Sequence, residues 1–397
     1  MTTGLEREAD YSSKSDTVET ICSVSRRVLE TEPFSTRSGM KTRICSAFAL
    51  LALLSACTIE LSPSVPSDDV PSENIGGDDV PGEDVGGDDV PARDIAIDWR
   101  EGAESPLARF EGQSAVVGGK LYIFGGYTDG SVIPKTFEAD VYDPASDTWE
   151  QLPDMPRPMT HAGTVADGAN IYFAGGVVGS DDPNGEFQKI PATTEVWRFG
   201  TESEAWSVMP PLPEPRGAGA LVLLDDTLHF FGGTGEDRFQ EVGDHWALAL
   251  DGAEGWLELA PLPFPTNHLA GVTVNGTIYA VGGQTGHNET LETQSRVQVY
   301  DPDFDGWFEV APLPQSLGHI GNATLELDGY IYVVGGEVAY GESSDQVFIY
   351  DPALDLWDEA TPFPTREHSL LGGVVDGALV ITGGSALETR TLIGTVE

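Results

Sequence analysis

Six tryptophans recur along the chain, and the residue twelve positions after each of them carries most of the chemistry that the sequence offers. These twelfth positions are Glu111, His161, Ala218, His268, His319 and Ser369. Basic residues are scarce, yet several stand just beside these positions, namely Arg109, Arg216 and Arg366, with His368 next to the last. Imidazoles, a carboxylate and guanidinium groups at one repeated register predict a single polar site.

The chemistry indicated for this site is recognition of an anionic group, because an arginine can bind a carboxylate through two parallel hydrogen bonds. The candidate ligand-binding residues are Arg109, His161, Arg216, His268, His319, Arg366 and His368. A structural role stays open, in which these side chains bond the backbone of neighbouring repeats. A metal site from His161, His268 and His319 is not expected, since equivalent positions in different repeats are predicted to lie too far apart. No metal or other cofactor is predicted.

The elements that position these residues follow from a repeat of about 50 residues. The tryptophans are Trp99, Trp149, Trp206, Trp256, Trp307 and Trp357. Each precedes a glycine doublet by 26 residues, or by 28 in the fifth repeat; the doublets begin at Gly125, Gly175, Gly232, Gly282, Gly335 and Gly383. A proline follows each of these six tryptophans by seven residues. A constant period of this length indicates a repeat architecture.

Each repeat reads as four short antiparallel strands. Runs rich in β-branched and aromatic residues, such as residues 120–124 and 330–334, end at their doublets. A small-apolar run precedes each and is joined to it by a tight turn such as Asn275-Gly276 or Asp376-Gly377, whose residues accept positive φ angles. A third strand and the tryptophan strand follow. A four-stranded sheet repeated radially predicts an all-β propeller of six blades.

The repeats resemble the kelch family, whose members carry a double glycine after the second strand and a spaced Tyr and Trp. Three repeats also have a Tyr-Asp-Pro turn, at residues 142–144, 300–302 and 350–352, whereas repeats two and three depart from that pattern at 199–201 and 249–251. The resemblance covers residues 95–397. It implies a kelch-type propeller in which the loops around the central channel form the default binding face.

The closure of the ring follows from counting strands. Only 13 residues follow the sixth doublet, enough for one strand at 391–396, and Trp99 precedes the first doublet without a blade of its own. Residues 95–101 are therefore predicted to be the outer strand of blade six, which protects edges that would otherwise pair with other molecules.

The first 94 residues divide into three predicted segments. Residues 1–39 are polar and aperiodic, and we expect an untranslated or disordered extension, with Met1 and Met40 both open as the start. Residues 40–57 have a basic start, an apolar run and Leu-Ser-Ala-Cys, which resembles a bacterial lipoprotein signal with Cys57 lipidated. An ordinary signal peptide or a short anchor stays open. Residues 58–94, with Asp-Asp-Val-Pro at 68, 78 and 88, read as a disordered acidic linker.

Charge limits the partners. The chain holds 65 acidic and 20 basic residues, a net charge of −45. Such a surface repels phosphate backbones and anionic lipids, so no nucleic-acid partner is expected. We expect an exported monomer in the bacterial cell envelope, at the outer membrane or cell surface, held to the membrane through Cys57. Its only cysteines, Cys22, Cys45 and Cys57, lie outside the predicted propeller.

These observations favour a ligand- or protein-binding module, with a protein or carbohydrate at the propeller face. The sequence holds no Gly-x-Ser-x-Gly, His-Glu-x-x-His or glycine-rich phosphate motif, so an enzyme is the less favoured prediction. Copper-radical oxidases need a cysteine that this propeller lacks. The chain also resembles bacterial sialic acid mutarotases in its predicted export and six blades, which implies a sugar mutarotase or epimerase as the alternative function.

Overall fold

The computed structural model describes residues 95–128, 136–178, 191–385 and 387–397. All of them belong to one compact unit, Asp84–Glu397. The predictions for residues 1–39, for the signal at 40–57 with Cys57 and for the linker at 58–94 lie outside the described residues. No helix in the described part of the chain is long and apolar enough to cross a membrane.

The described residues form six antiparallel sheets of four strands, as the repeat predicts. The first strand of the chain is β1 (Ile97–Gly102), and blade 1 consists of β2 (Gln113–Val117), β3 (Lys120–Phe124), β4 (Ala139–Asp143) and β5 (Thr148–Gln151). Blade 2 consists of β7 (Gly163–Ala166), β8 (Asn170–Ala174), β10 (Val196–Gly200) and β11 (Ala205–Val208). The short strands β6 (Met159–Thr160) and β9 (Val177–Val178) pair with each other in a separate sheet. Blade 3 is β12 (Ala220–Leu224), β13 (Thr227–Phe231), β14 (His245–Ala249) and β15 (Leu257–Leu259).

The remaining blades follow the same order from inner to outer strand. Blade 4 is β16 (Ala270–Val274), β17 (Thr277–Val281), β20 (Val297–Asp301) and β21 (Gly306–Val310), with β18 (Gln284–Thr285) and β19 (Glu292–Thr293) as a short hairpin. Blade 5 is β22 (Thr324–Leu327), β23 (Tyr330–Val334), β26 (Val347–Asp351) and β27 (Leu356–Glu359), with the hairpin β24 (Glu337–Ala339) and β25 (Glu342–Ser343). Blade 6 contains β28 (Leu370–Val375), β29 (Ala378–Gly383) and β30 (Thr391–Val396). Among the described residues, two 3₁₀ turns span Asn288–Thr290 and Gly321–Ala323.

The N-terminal strand closes the ring, which confirms the prediction. Strand β1 pairs antiparallel with β30 from Ile97–Val396 to Gly102–Thr391 and so supplies the fourth strand of blade 6. Trp99 packs edge-on against Phe363 of the preceding blade, with ring centroids 5.1 Å apart. The two ends of the propeller therefore share one sheet, and β1 covers the edge of β30 that would otherwise be open to pair with another molecule.

The hydrophobic core lies between the blades. Each neighbouring pair of blades encloses a cluster of buried side chains, and the cluster between blades 1 and 2 contains Phe124, Phe173 and Phe199. The other clusters repeat this arrangement around the ring. The inner strands of neighbouring blades contact one another in a closed circuit. Burial of apolar area between blades is therefore the main favourable contribution to folding.

In several repeats the tryptophan and the tyrosine link a blade to the one before it. The indole N–H groups of Trp149, Trp307 and Trp357 donate to backbone carbonyls of the preceding repeat at 2.9–3.0 Å. In the Tyr-Asp-Pro turns the tyrosine hydroxyl donates to an aspartate five residues on, as in Tyr300 to Asp305 at 2.8 Å. The same carboxylate accepts the Ala260 backbone N–H at 2.9 Å. These bonds explain why both residue types recur at a fixed spacing.

Candidate functional site

The glycine doublets fix the loops that carry the twelfth-position residues. The second glycine of every doublet donates its N–H to the carbonyl two residues before the next twelfth-position residue, as Gly176 does to Arg216 at 2.7 Å and Gly384 to Arg109 at 3.1 Å. The first glycine must lack a side chain, because a Cβ on Gly175 would lie 2.5 Å from the Arg216 carbonyl oxygen and its φ is +65°. The doublets thus hold each loop against the channel.

The six twelfth-position residues share one backbone conformation and form what we call the inner ring. The ring consists of Glu111, His161, Ala218, His268, His319 and Ser369, all of which have φ between 50° and 56°. Left-handed backbone is unfavourable for residues other than glycine by about 1–2 kcal/mol each. Four backbone N–H groups of the ring donate to the ring residue before them, as Ala218 does to His161 and His268 does to Ala218 at 2.9 Å. The ring is therefore held by its main chain.

Two cavities meet at the inner ring. The mouth cavity, of about 240 Å³, lies on the face of the doublet loops and is lined by five ring residues together with Tyr127, Arg238, Gln284, His287, Glu337, Tyr340 and His368. The channel cavity, of about 90 Å³, is lined by the ring and by small residues that follow it, among them Gly163 and Gly271. Since the same ring residues line both cavities, the ring forms the floor of the mouth cavity.

The ring brings the histidines together, and the prediction that they lie too far apart is wrong. The imidazole centroids of His161 and His268 are 4.8 Å apart, and those of His268 and His319 are 4.0 Å apart. The ring of His368 lies 5.5 Å from that of His319. Inward-turned left-handed positions near the propeller axis converge, whereas equivalent positions on the outer strands would diverge.

Two carboxylates bind these histidines. Glu111 accepts from His161 Nε2 at 2.8 Å and lies 3.1 Å from His319 Nε2, while His319 Nδ1 lies 2.8 Å from Glu337. All four side chains are at most 14% exposed. The result is a buried chain of alternating acidic and imidazole groups on the floor of the mouth cavity.

The pKa values of these buried acidic and imidazole groups shift in different directions. Burial alone would raise the pKa of Glu111, but His161 and His319 outweigh it and hold that pKa well below its usual range. Burial would lower the pKa of His319, but hydrogen bonds and charges from Glu111 and Glu337 raise that pKa to about 9. Burial lowers the pKa of His161 and His268 below the usual value. At neutral pH His319 is therefore protonated and His161 and His268 are neutral.

The three predicted arginines do not line the mouth cavity. Arg109 is buried, forms an ion pair with Asp140 and donates to the Glu138 carbonyl at 3.3 Å. Arg216 is buried and donates to Asp244 at 2.6 Å. The Arg366 side chain is 72% exposed and lies 3.4 Å from Asp345. The contacts of Arg109 and Arg216 are thus structural, but they are ion pairs within one repeat and not the bonds to neighbouring backbone that were left open, whereas His161, His268, His319 and His368 do line the cavity.

Sequence reasoning missed three residues of the mouth cavity. Arg238, His287 and Tyr340 each lie within six residues of the end of a glycine doublet, in the segments that rise over the mouth. His287 contacts Phe239 with ring centroids 5.6 Å apart, and Tyr340 is 58% exposed at the rim. Their position four or five residues after a doublet is the signal that could have identified them, and Tyr127, Gln284 and Glu337, which also line the cavity, directly follow their doublets.

The fold and the repeat contacts define a kelch-type β-propeller with a polar cavity at one end of its channel. The family model for the Kelch motif matches residues 108–156, 265–314 and 321–364. The chain therefore carries kelch motifs in these three segments.

Comparison with known proteins agrees with this assignment. The chain is 30% identical to a kelch repeat-containing protein of Arabidopsis thaliana over 60% of the chain and 58% of that protein. It is 27% identical to the Kelch-like protein terF of Aspergillus terreus, over 61% of the chain and 53% of that protein. The chain thus spans about half the length of these curated relatives. A solved structure of YjhT has the same fold, with a TM-score of 0.59 at 14% identity. The match covers 74% of this chain and 96% of the YjhT chain.

Proposed function

We propose that this protein is a binding module whose mouth cavity takes a small, neutral polyhydroxylated ligand of the monosaccharide class. The observation that carries the proposal is the composition of this cavity. Neutral imidazoles, carboxylates and an amide on its floor and walls can donate to and accept from sugar hydroxyls. Tyr340 at the rim offers an aromatic face of the kind that packs on apolar surface. Glu111 and Glu337 balance the charges of His319 and Arg238 in this cavity, so its lining does not favour the anionic group that the arginines had suggested.

The test is calorimetric titration of residues 84–397 with a panel of neutral and acidic monosaccharides. A neutral sugar should bind, and Tyr340→Ala and His161→Ala should each weaken binding by roughly tenfold or more, in line with the loss of one well-made contact. Arg366→Ala is the matched control, since Arg366 lies outside the cavity, and should leave affinity unchanged. Absence of binding by every sugar, or equal affinities in all variants, would contradict the proposal.

Protein binding is the second candidate, and it is the role typical of kelch propellers. An exposed aromatic pair favours it, since Phe304 and Phe308 on the outer side of blade 4 lie 5.7 Å apart and are 71% and 48% exposed. Aromatic residues of this kind are enriched in protein interfaces. Cross-linking in cells of the wild-type protein and of a Phe304→Ser/Phe308→Ser variant tests it, and identical cross-linked products would count against this surface.

A sugar mutarotase is the remaining alternative. Its support is that a protonated His319 and a neutral His161 lie on either side of Glu111, an acid and a base within one cavity. Exchange of sugar anomers measured by magnetisation-transfer NMR should then accelerate with the wild-type protein and not with His161→Gln. Sugar binding without faster exchange of the anomers would contradict the mutarotase alternative.

Export and lipid anchoring at Cys57 belong to the same proposal, supported by the apolar run and small residues before Cys57. Radiolabelled palmitate should enter the protein in a bacterial host, and Cys57→Ser should abolish the label and release the propeller from the membrane fraction. Cys45→Ser is the control, because Cys45 precedes the predicted cleavage point and should not alter labelling. Label that persists in Cys57→Ser would exclude this anchor.

A further inference from the structure

Three side chains on the floor of the mouth cavity converge as metal ligands. One ligand atom from each of Glu111, His268 and His319 lies within 4.8 Å of the other two. The residues come from three different repeats and stand on the hydrogen-bonded inner ring, so their backbones are fixed. In a tetrahedral site with metal–ligand distances of about 2.1 Å, donor atoms lie about 3.4 Å apart. Small side-chain rotations would bring the present spacing to that value.

The contacts of both histidines leave the same ring nitrogen for an ion. His319 Nδ1 forms a 2.8 Å ion pair with one oxygen of Glu337, whose other oxygen accepts the Gly341 backbone N–H at 2.9 Å. His268 directs Nδ1 to the side-chain oxygen of Asn267, whose amide donates to Glu241 at 2.8 Å. A hydrogen bond from one ring nitrogen fixes the tautomer and makes the other a better ligand. Nε2 of each histidine is therefore the nitrogen presented to the centre.

The carboxylate of Glu111 is held in a similar way. His161 donates to one of its oxygens at 2.8 Å, and the other oxygen lies 3.1 Å from His319 Nε2. An ion at this point would take the place of the proton between Glu111 and His319. In the described part of the chain, several buried polar atoms of this cluster lack a well-aligned hydrogen bond, among them His161 Nδ1, His319 Nδ1 and one oxygen of Glu337.

We propose that Glu111, His268 and His319 bind a divalent transition-metal ion, with zinc as the best match to two imidazoles and one carboxylate. Glu337, Asn267 and His161 orient the three ligands. The ion would lie on the floor of the mouth cavity, where a fourth coordination position faces a ligand oxygen or water. The site stands independently of the sugar proposal, because metal binding is measured without any sugar.

The experiment uses the full chain after dialysis against a chelator and then against metal-free buffer. Titration with Zn²⁺ alone, followed by calorimetry and by elemental analysis after desalting, should give one ion per chain. Glu111→Gln, His268→Ala and His319→Ala should each abolish retention of the ion, and Glu337→Gln should weaken it by roughly 10–100-fold. Co²⁺ in place of zinc should give a visible absorption band in the wild-type protein that His268→Ala lacks.

His287→Gln is the matched control, because His287 lines the same cavity without belonging to the ligand set, and it should retain one zinc ion. Circular dichroism and thermal melting establish that each variant is folded. Should His319→Ala fail to fold, His268→Ala and Glu111→Gln carry the test alone. Less than stoichiometric zinc in the wild-type protein, or unchanged zinc in folded His268→Ala, would overturn the proposal and leave Glu111 and His319 as a buried ion pair.

Discussion

At the scale of single residues, one repeated register serves two different purposes. Glu111 and the histidines of the inner ring turn inward onto the mouth cavity, whereas Arg109 and Arg216, two positions earlier, turn into the blades and meet Asp140 and Asp244. Charge alone does not predict which side chains turn inward and which turn into the blades, because the sequence offers 65 acidic residues as partners. What separates them is the left-handed backbone of the ring, which reverses the direction of the side chain between neighbouring positions.

Arg216→Ala should lower the free energy of unfolding by about 1.5–3 kcal/mol, because it removes a buried guanidinium and its hydrogen bond to Asp244, a carboxylate that is itself partly exposed. Arg366→Ala should change it by less than about 0.5 kcal/mol, since that side chain is mostly exposed. Urea unfolding of both variants measures the difference. Equal effects would show that the contacts of Arg216 do not stabilise the blade.

The stability of chelator-treated protein should fall as pH rises. The pKa of His319 is raised to about 9 from an ordinary value of 6.5, so its contribution is fully present below about pH 6.5 and is lost as pH passes through 9. Glu111 and Glu337 face His319 as carboxylates, and His161, His268 and His368 face it as neutral imidazoles through this range. Urea unfolding at pH 6.5 and pH 9.5 should show a loss in wild type that His319→Gln lacks. An identical pH response in the two proteins would contradict the assignment.

At the scale of elements, the glycine doublet is the joint between one blade and the loop of the next. Gly175→Ala should destabilise the protein by about 2–3 kcal/mol, since it adds a close contact with the Arg216 carbonyl to the strain of a positive φ. Gly168→Ala, also at positive φ but with no atom within 4 Å of the added Cβ, should cost about 1 kcal/mol. Thermal melting of the two variants compares them, and an equal fall would mean that the contact with the next blade costs nothing.

The repeat made the strands predictable from the sequence, but it made only part of the site predictable. Period, turn residues and the position of Trp99 suffice for six blades and for the closing strand, because strand pairing depends on local turns and alternating apolar residues. The same register located the inner ring. Its convergence could not be predicted, because the left-handed conformation is imposed by hydrogen bonds between blades and is shared by Ala218 and Ser369, whose residue types do not signal it.

At the scale of the whole molecule, the propeller depends on one strand from the opposite end of the chain. Deleting residues 94–101 should lower the melting temperature by roughly 10 °C, because losing the buried Ile97 and Trp99 contacts costs at least about 3–5 kcal/mol. A chain lacking residues 1–83 keeps β1 and should melt as the full chain does. An unchanged melting temperature after the first deletion would show that the ring is stable with blade 6 open.

The inner ring also bears on how such a protein can acquire new specificity. Its six positions share one backbone conformation, and four main-chain hydrogen bonds join them whatever side chains they carry. The side chains at these positions can therefore differ without a change in the backbone, and Ala218 and Ser369 carry the smallest of the six. A single codon change at either would deliver a new functional group to the same axis as His268 and His319, without any rearrangement of the blades that surround it.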